Sequence, residues 1–288
     1  MNRLRKLIVN IVAVLMVVAS CFTLTACKED IKTVELKVSV YNYAESVADF
    51  EEVTLTIDLY RHLAPNTVDT VIKYIKEGYY NDAIFYKHAN HTNQIMLGDL
   101  KQDSEGNIVQ NAIKPQIKGE FEHGGTSGSN LTPKKGSIGL WRNWYAYDDS
   151  YKASNDAMHS GRSTWFMPTQ TSTSSLSGYS GWFCIFAQFD VNSQAYALIE
   201  NAIKEHTEDY VVYYTGEWDE SKANENYGLT YNCVPAGEFE EDDIEDLFVA
   251  DENKAHYTCY NYYTVKLPVR EDASNNSIAA KVISAKVK

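Results

Sequence analysis

The chain is poor in cysteine, and the cysteines it has stand in no metal-binding pattern. Of five, Cys21 and Cys27 fall near the start, and Cys184, Cys233 and Cys259 follow with no His or Cys at ligand spacing, which excludes a structural zinc site. Cys184 lies in an apolar run and reads as a core residue. Cys233 and Cys259 stay open between free thiols and a bridge, which an oxidising compartment permits. No second long apolar run follows the N-terminal one, so no internal segment reads as a membrane span. Positive charge is scarce: 26 Lys and Arg stand against 39 Asp and Glu, a net −13. Such a balance excludes nucleic acid as a partner and predicts repulsion from anionic surfaces. No internal repeat is present. The densest acidic stretch, 238 to 252, has no calcium-loop spacing and reads as a solvated loop.

The N-terminus reads as an address. Arg3, Arg5 and Lys6 make a basic start, and the apolar run from Leu7 to Ala19 falls short of the about 20 residues a membrane span needs. Leu24-Thr25-Ala26-Cys27 resembles a bacterial lipobox, in which the cysteine becomes the acylated first residue. Each buried acyl methylene adds about 0.8 kcal/mol, so a multiply acylated Cys27 holds a domain at a membrane. The expected organisation is a signal peptide over 1–26, an anchored tether over 27–33 and one domain over 34–288. That domain is expected to lie outside the cytoplasm, lipid-anchored to the bacterial cell membrane. Loss of residues 1–26 removes three positive charges from −13 and leaves −16.

Within the domain, Val34, Leu36, Val38 and Val40 alternate and predict a first strand; Leu55, Ile57 and Leu59 predict a second over Thr54 to Tyr60. Val68, Val71, Ile72 and Ile75 have helical spacing, with Thr67 as the expected cap and Gly78 as the left-handed stop. Ala83 to His88, Ser137 to Trp141, Trp165 to Pro168 and Phe183 to Phe189 read as further strands. Ala195, Leu198, Ile199, Ala202 and Ile203 mark a second helix. His256 to Val269 and Ile278 to Val287 read as closing strands. The stretches near 142–160 and 207–255 read as loops.

The wording of these segments is more specific than their period. Leu59-Tyr60-x-x-Leu63-Ala64-Pro65-Asn66-Thr67-Val68, then Gly78-Tyr79-Tyr80, then Ile84-Phe85-Tyr86-Lys87 resembles the opening of the cyclophilins. The resemblance resumes at Ile117-Lys118-Gly119-Glu120-Phe121, at Gly136-Ser137-Ile138-Gly139-Leu140 and at Ser163-Thr164-Trp165-Phe166-Met167, in the family's order. It implies a mainly β fold: a closed eight-stranded antiparallel barrel, which leaves no sheet edge exposed, with two helices and the two inserted stretches.

It also implies a chemistry, peptidyl-prolyl cis-trans isomerisation, which needs no metal and no cofactor. Phe85-Tyr86-Lys87 stands where the family has Phe-His-Arg, so Lys87 takes the place of the catalytic arginine without its planar fork. The Met-x-Gln-Gly-Gly-Asp segment reads Gln94-Ile95-Met96-Leu97-Gly98-Asp99, with Met96 at the glutamine. Trp141 stands at a position that is usually small beside the groove. Thr164 replaces a second glutamine, Phe166 keeps the pocket floor, Leu176 matches a pocket wall, and Phe183 replaces a histidine. With Phe85, these are the expected substrate-binding residues. Two functions follow: an isomerase, of weak activity, that helps secreted or surface proteins fold by acting on their proline-containing segments; or a catalytically impaired barrel that holds a peptide at the cell surface.

Overall fold

The computed structural model describes residues 30–44, 48–89, 93–124, 128–129, 131–142, 159–171, 181–215, 230–239, 262–270 and 277–288. The expectations about the signal peptide and Cys27, about most of 142–160, and about Leu176, the acidic stretch from 240 and Cys259 lie outside these residues.

Among the described residues the strands are β1 (Ile31–Asn42), β2 (Asp49–Tyr60), β3 (Lys87–His88), β4 (Gln94–Leu97), β5 (Leu100–Gln102), β6 (Ile108–Gln110), β7 (Ser137–Leu140), β8 (Trp165–Pro168), β9 (Ile185–Phe189), β10 (Thr207–Thr215), β11 (Thr230–Pro235), β12 (Tyr262–Pro268) and β13 (Ala280–Val287), with helices α1 (Pro65–Lys76) and α2 (Gln194–Glu205). Seven strands form one curled antiparallel sheet in the order β13-β1-β2-β9-β7-β8-β4. Four form a second, β11-β10-β12-β3, and β5-β6 is a separate hairpin.

The fold is mainly β with two helices, as expected, but the large sheet is not a continuous eight-stranded barrel. An eighth strand over Ala83 to His88 would have closed it. That stretch instead makes isolated bridges: the Phe85 amide donates to the Ala280 carbonyl on the β13 side, while Tyr86 and Met96 exchange backbone hydrogen bonds on the β4 side. Lys87 and His88 then leave to pair with β12 in the second sheet. A chain can satisfy only one ladder partner at a time on each edge, so pairing with β12 ends the eighth strand early.

Alternation builds the main core. Val34, Leu36, Val38 and Val40 of β1 and Leu55, Ile57 and Leu59 of β2 face inward, all essentially solvent-free. Val68, Val71, Tyr74 and Ile75 of α1 and Ala195, Tyr196, Ile199, Ala202 and Ile203 of α2 cover them. The start of α1 corrects the expectation for Thr67, which lies inside the helix. Pro65 opens it, the cap position is Ala64, and no side chain there accepts a hydrogen bond. The buried Glu120 carboxylate does so from a distant segment, accepting from the Asn66 amide at 3.0 Å and the Thr67 amide at 2.8 Å. A negative charge at a helix N-terminus also suits the dipole. Gly78, with φ +72°, ends the helix as expected. At α2 the Ser193 hydroxyl caps the Tyr196 amide.

The stretch from 207 is also corrected. Its first part is not a loop but β10, and Thr230–Pro235 forms β11 beside it. Among the described residues no helix is long and apolar enough to cross a membrane.

Candidate functional site

Every second residue of β4 and β8 points away from the main core, and these residues meet on the outer face of the curled sheet. In β8, Trp165 and Met167 belong to the main core while Phe166 belongs to a second cluster; in β4, Ile95 and Leu97 divide from Met96 in the same way. Met96 and Phe166 are directly opposed across the β4–β8 ladder. Gly139 of β7 opposes Phe166 on the other side. A Cβ at Gly139 would lie 2.3 Å from the Phe166 ring, so the missing side chain is what lets that ring lie over β7.

Around Phe166 the aromatics are close. Its ring centroid is 5.1 Å from Phe183, edge-on, and 5.9 Å from Trp141. Trp141 stacks on Phe183 at 5.6 Å. These separations fit the edge-to-face and offset contacts that ring quadrupoles favour. The Thr164 carbonyl accepts from the Trp141 amide, which fixes the start of β8 against the tryptophan. The structure therefore brings together Met96, Trp141, Thr164, Phe166 and Phe183.

It does not bring Phe85 there. That ring is fully buried in the main core, and Tyr86 takes the outer face instead. Lys87 opposes Lys266 across the β3–β12 ladder. The Lys266 ammonium reaches Asp209 at 2.6 Å, on the face of the second sheet opposite Val265 and Leu267. Directly opposed residues share a face, so Lys87 lies on the Lys266 face, away from the aromatic cluster.

Sequence reading missed two polar residues at this place. Arg142 is buried, its guanidinium 4.9 Å from the Phe183 ring centroid and 5.0 Å from that of Phe121, with Nε donating to the Trp182 carbonyl. A desolvated guanidinium between two rings gains from both quadrupoles. Gln94 shares the Met96 face of β4 by alternation, is buried, and its Oε1 has no hydrogen-bond partner among the described residues. The Gln-x-Met order of β4 was the available signal: alternation places both side chains where Met-x-Gln would.

A hydrogen-bonded carboxylate borders the cluster. The Tyr86 hydroxyl donates to Asp99 at 2.8 Å. Burial pushes the Asp99 carboxyl up to about 6, against the pull of the Tyr86 hydrogen bond. Burial, and then the Asp99 charge, push the Cys233 thiol up to about 12. Among the described residues no group of three or more His, Cys, Asp or Glu side chains is placed to hold a metal ion.

The centre of the cluster is buried, while Trp141 at its side is half-buried. Phe166 and Phe183 have no exposed surface and Met96 is 3% exposed. Tyr210 and Val212 of β10 and Val265 and Leu267 of β12 belong to the same apolar cluster, together with Ile84, Tyr86, Leu100 and Ile185.

The model of the family described as cyclophilin type peptidyl-prolyl cis-trans isomerase/CLD matches residues 47–209. No match was found among curated proteins. Among solved structures the chain is similar to a crystal structure of a cyclophilin type peptidyl-prolyl cis-trans isomerase from Cryptosporidium parvum, at 13% identity and a TM-score of 0.37, covering 71% of this chain and 97% of that one. A second structure of that protein, in the presence of the dipeptide Ala-Pro, is similar at 13% identity and a TM-score of 0.36, covering 70% and 98%.

Proposed function

Since this chain belongs to the cyclophilin-type peptidyl-prolyl cis-trans isomerases, we propose that it catalyses the cis–trans exchange of Xaa-Pro bonds, with weak activity, in secreted or surface proteins. The observation that carries this reading is the family match over 47–209, which spans Lys87 and every groove residue named above. In this reading Cys27 is acylated and holds the domain outside the cytoplasm at the bacterial membrane.

The chemistry is modest in its demands. Rotation about a peptide bond meets a barrier of roughly 18–20 kcal/mol because the C–N bond has double-bond character. Twisting breaks that conjugation and returns a lone pair to the prolyl nitrogen. A donor aimed at this nitrogen binds the transition state and not the ground state, which is what accelerates the step. Phe166, Phe183 and Met96 supply an apolar seat for the proline ring. Gln94, with its orphaned carbonyl oxygen, is suited to grip a substrate N–H. Lys87 is the donor by its place in the sequence, and Arg142 is the cation at the aromatic rings.

One observation favours a second reading, a peptide-holding module without efficient catalysis: the seat is buried and Lys87 lies on another face. A single series separates the two. Cis–trans exchange of short Xaa-Pro peptides is measured by NMR on the chain and on its Lys87→Ala and Arg142→Lys variants. Acceleration lost in one variant names the donor. Binding shifts without acceleration in the parent chain leave the holding module. The anchor is tested by metabolic palmitate labelling: incorporation lost in Cys27→Ser supports it, and incorporation retained removes it.

A further inference from the structure

Part of the apolar cluster around Met96, Phe166 and Phe183 comes from outside the segment that matches the family. The match ends at residue 209, and Tyr210, Val212, Val265 and Leu267 all follow it. They are carried by β10 and β12, and β12 also holds the rim through its backbone: Val265 and Lys266 pair with His88 and Lys87, and the Ala89 amide donates to the Thr264 carbonyl at 2.9 Å. This attachment is short. Among the described residues, the ladder joining β10–β12 to the rest of the molecule is the two-residue strand β3, whereas β10 pairs with β12 over seven residues. The sheet is coherent within itself, with a Tyr231–Tyr263 hydroxyl contact of 2.8 Å and the His88 ring stacked on Tyr263. Its root is pinned where Tyr43 stacks on His206 and donates to the Val269 carbonyl. The arrangement is a self-consistent sheet, fixed at one end, whose apolar residues share one cluster with Met96, Phe166 and Phe183.

We infer that β10 and β12 are the resident occupant of the prolyl groove: the chain's own sheet fills the place of a proline-bearing segment, and such a segment binds only when that sheet lifts away. This rests on the proposed location of the groove at Met96, Phe166 and Phe183. It makes binding a competition between two occupants, so apparent affinity is set by the population of the lifted state. The short β3 ladder and the fixed root define what breaks and what stays.

The test is native-state hydrogen exchange on the full chain, with and without a large excess of an Ala-Pro-containing tetrapeptide. Exchange reports local opening separately from global unfolding. The expected result is that amides of β10 and β12 lose protection when the peptide is added, while those of β1 and β2 keep theirs. Leu267→Ala, which weakens the sheet's hold on the groove, should tighten peptide binding by about tenfold. Peptide binding with β10 and β12 protection unchanged overturns the inference. So does a Leu267→Ala chain with a loosened sheet, an intact β1–β2 pair and no gain in peptide binding. Displacement of the sheet without acceleration of cis–trans exchange upholds the inference and removes the isomerase; acceleration without displacement does the reverse.

Discussion

Trp165 and Phe166 are neighbours in β8, both without exposed surface, yet they belong to different apolar clusters. Trp165 packs inward against Tyr80 and Phe186, among residues of the matched segment. Phe166 packs outward against Trp141 and Phe183, in a cluster that also takes residues of β10 and β12. One strand thus serves two cores. The inner one defines the fold, and the outer one holds the residues proposed to seat the proline ring. Equal burial does not mean equal role, and substitutions at the two positions should separate them.

The largest effect belongs to the inner core. Trp165→Ala should cost about 3–5 kcal/mol, seen in denaturant unfolding, and should lower exchange protection across both sheets together. Leu267→Ala, in the outer core, should cost about 2–4 kcal/mol, with the loss of protection confined to β10 and β12. If the Leu267 variant instead weakens β1 and β2 equally, the two cores are one cooperative unit and the comparison fails.

Gly139→Ala is a finer probe. The added methyl meets Phe166, and overpacking of this kind should cost about 1–3 kcal/mol. Because Phe166 shares its cluster with Val265 and Leu267, exchange in β12 should rise more than in β9, which pairs directly with β7. A uniform rise would mean that the backbone of β7 moves instead of the ring.

Most of the inner core was legible in the sequence because alternation and helical spacing are local signals. Leu55, Ile57 and Leu59 mark their own strand, and Val68, Val71 and Ile75 their own helix. The cap of α1 was not legible: Glu120 comes from another segment, and nothing near Pro65 announces it. The run Tyr210-Val211-Val212-Tyr213-Tyr214 did carry a strand signal, in its β-branched and aromatic residues, but the acidic stretch beyond it coloured the whole region as loop. Of the site, Phe166 and Phe183 were readable through their motifs. Phe85 was misplaced because its motif does not say which face it takes once the eighth strand stops short. No sequence signal announced that β12 joins this cluster, since β4 and β12 lie more than 160 residues apart.

The smallest effect tests the border between the two cores. Asp99 is held by Tyr86 on the outer side, near Cys233 of β11. Its carboxyl is pushed from 3.8 to about 6 by burial. A folded state that raises an acid's pKa binds more protons than the unfolded chain between those two values. For this group, stability is therefore full below about pH 4, falls as pH rises to about 6, and is level above. The carboxyl is half-buried, so after discounting for solvent the fall should be roughly 1–2 kcal/mol. Asp99→Asn keeps an acceptor for the Tyr86 hydroxyl and removes the titration, so its unfolding free energy should lack this slope. If Asp99 belongs to the outer core, the slope in the parent chain appears in the protection of β10–β12 and not in that of β1 and β2. An equal slope in both sheets would place Asp99 in the inner core, and the covering sheet would then share its stability with the fold beneath it.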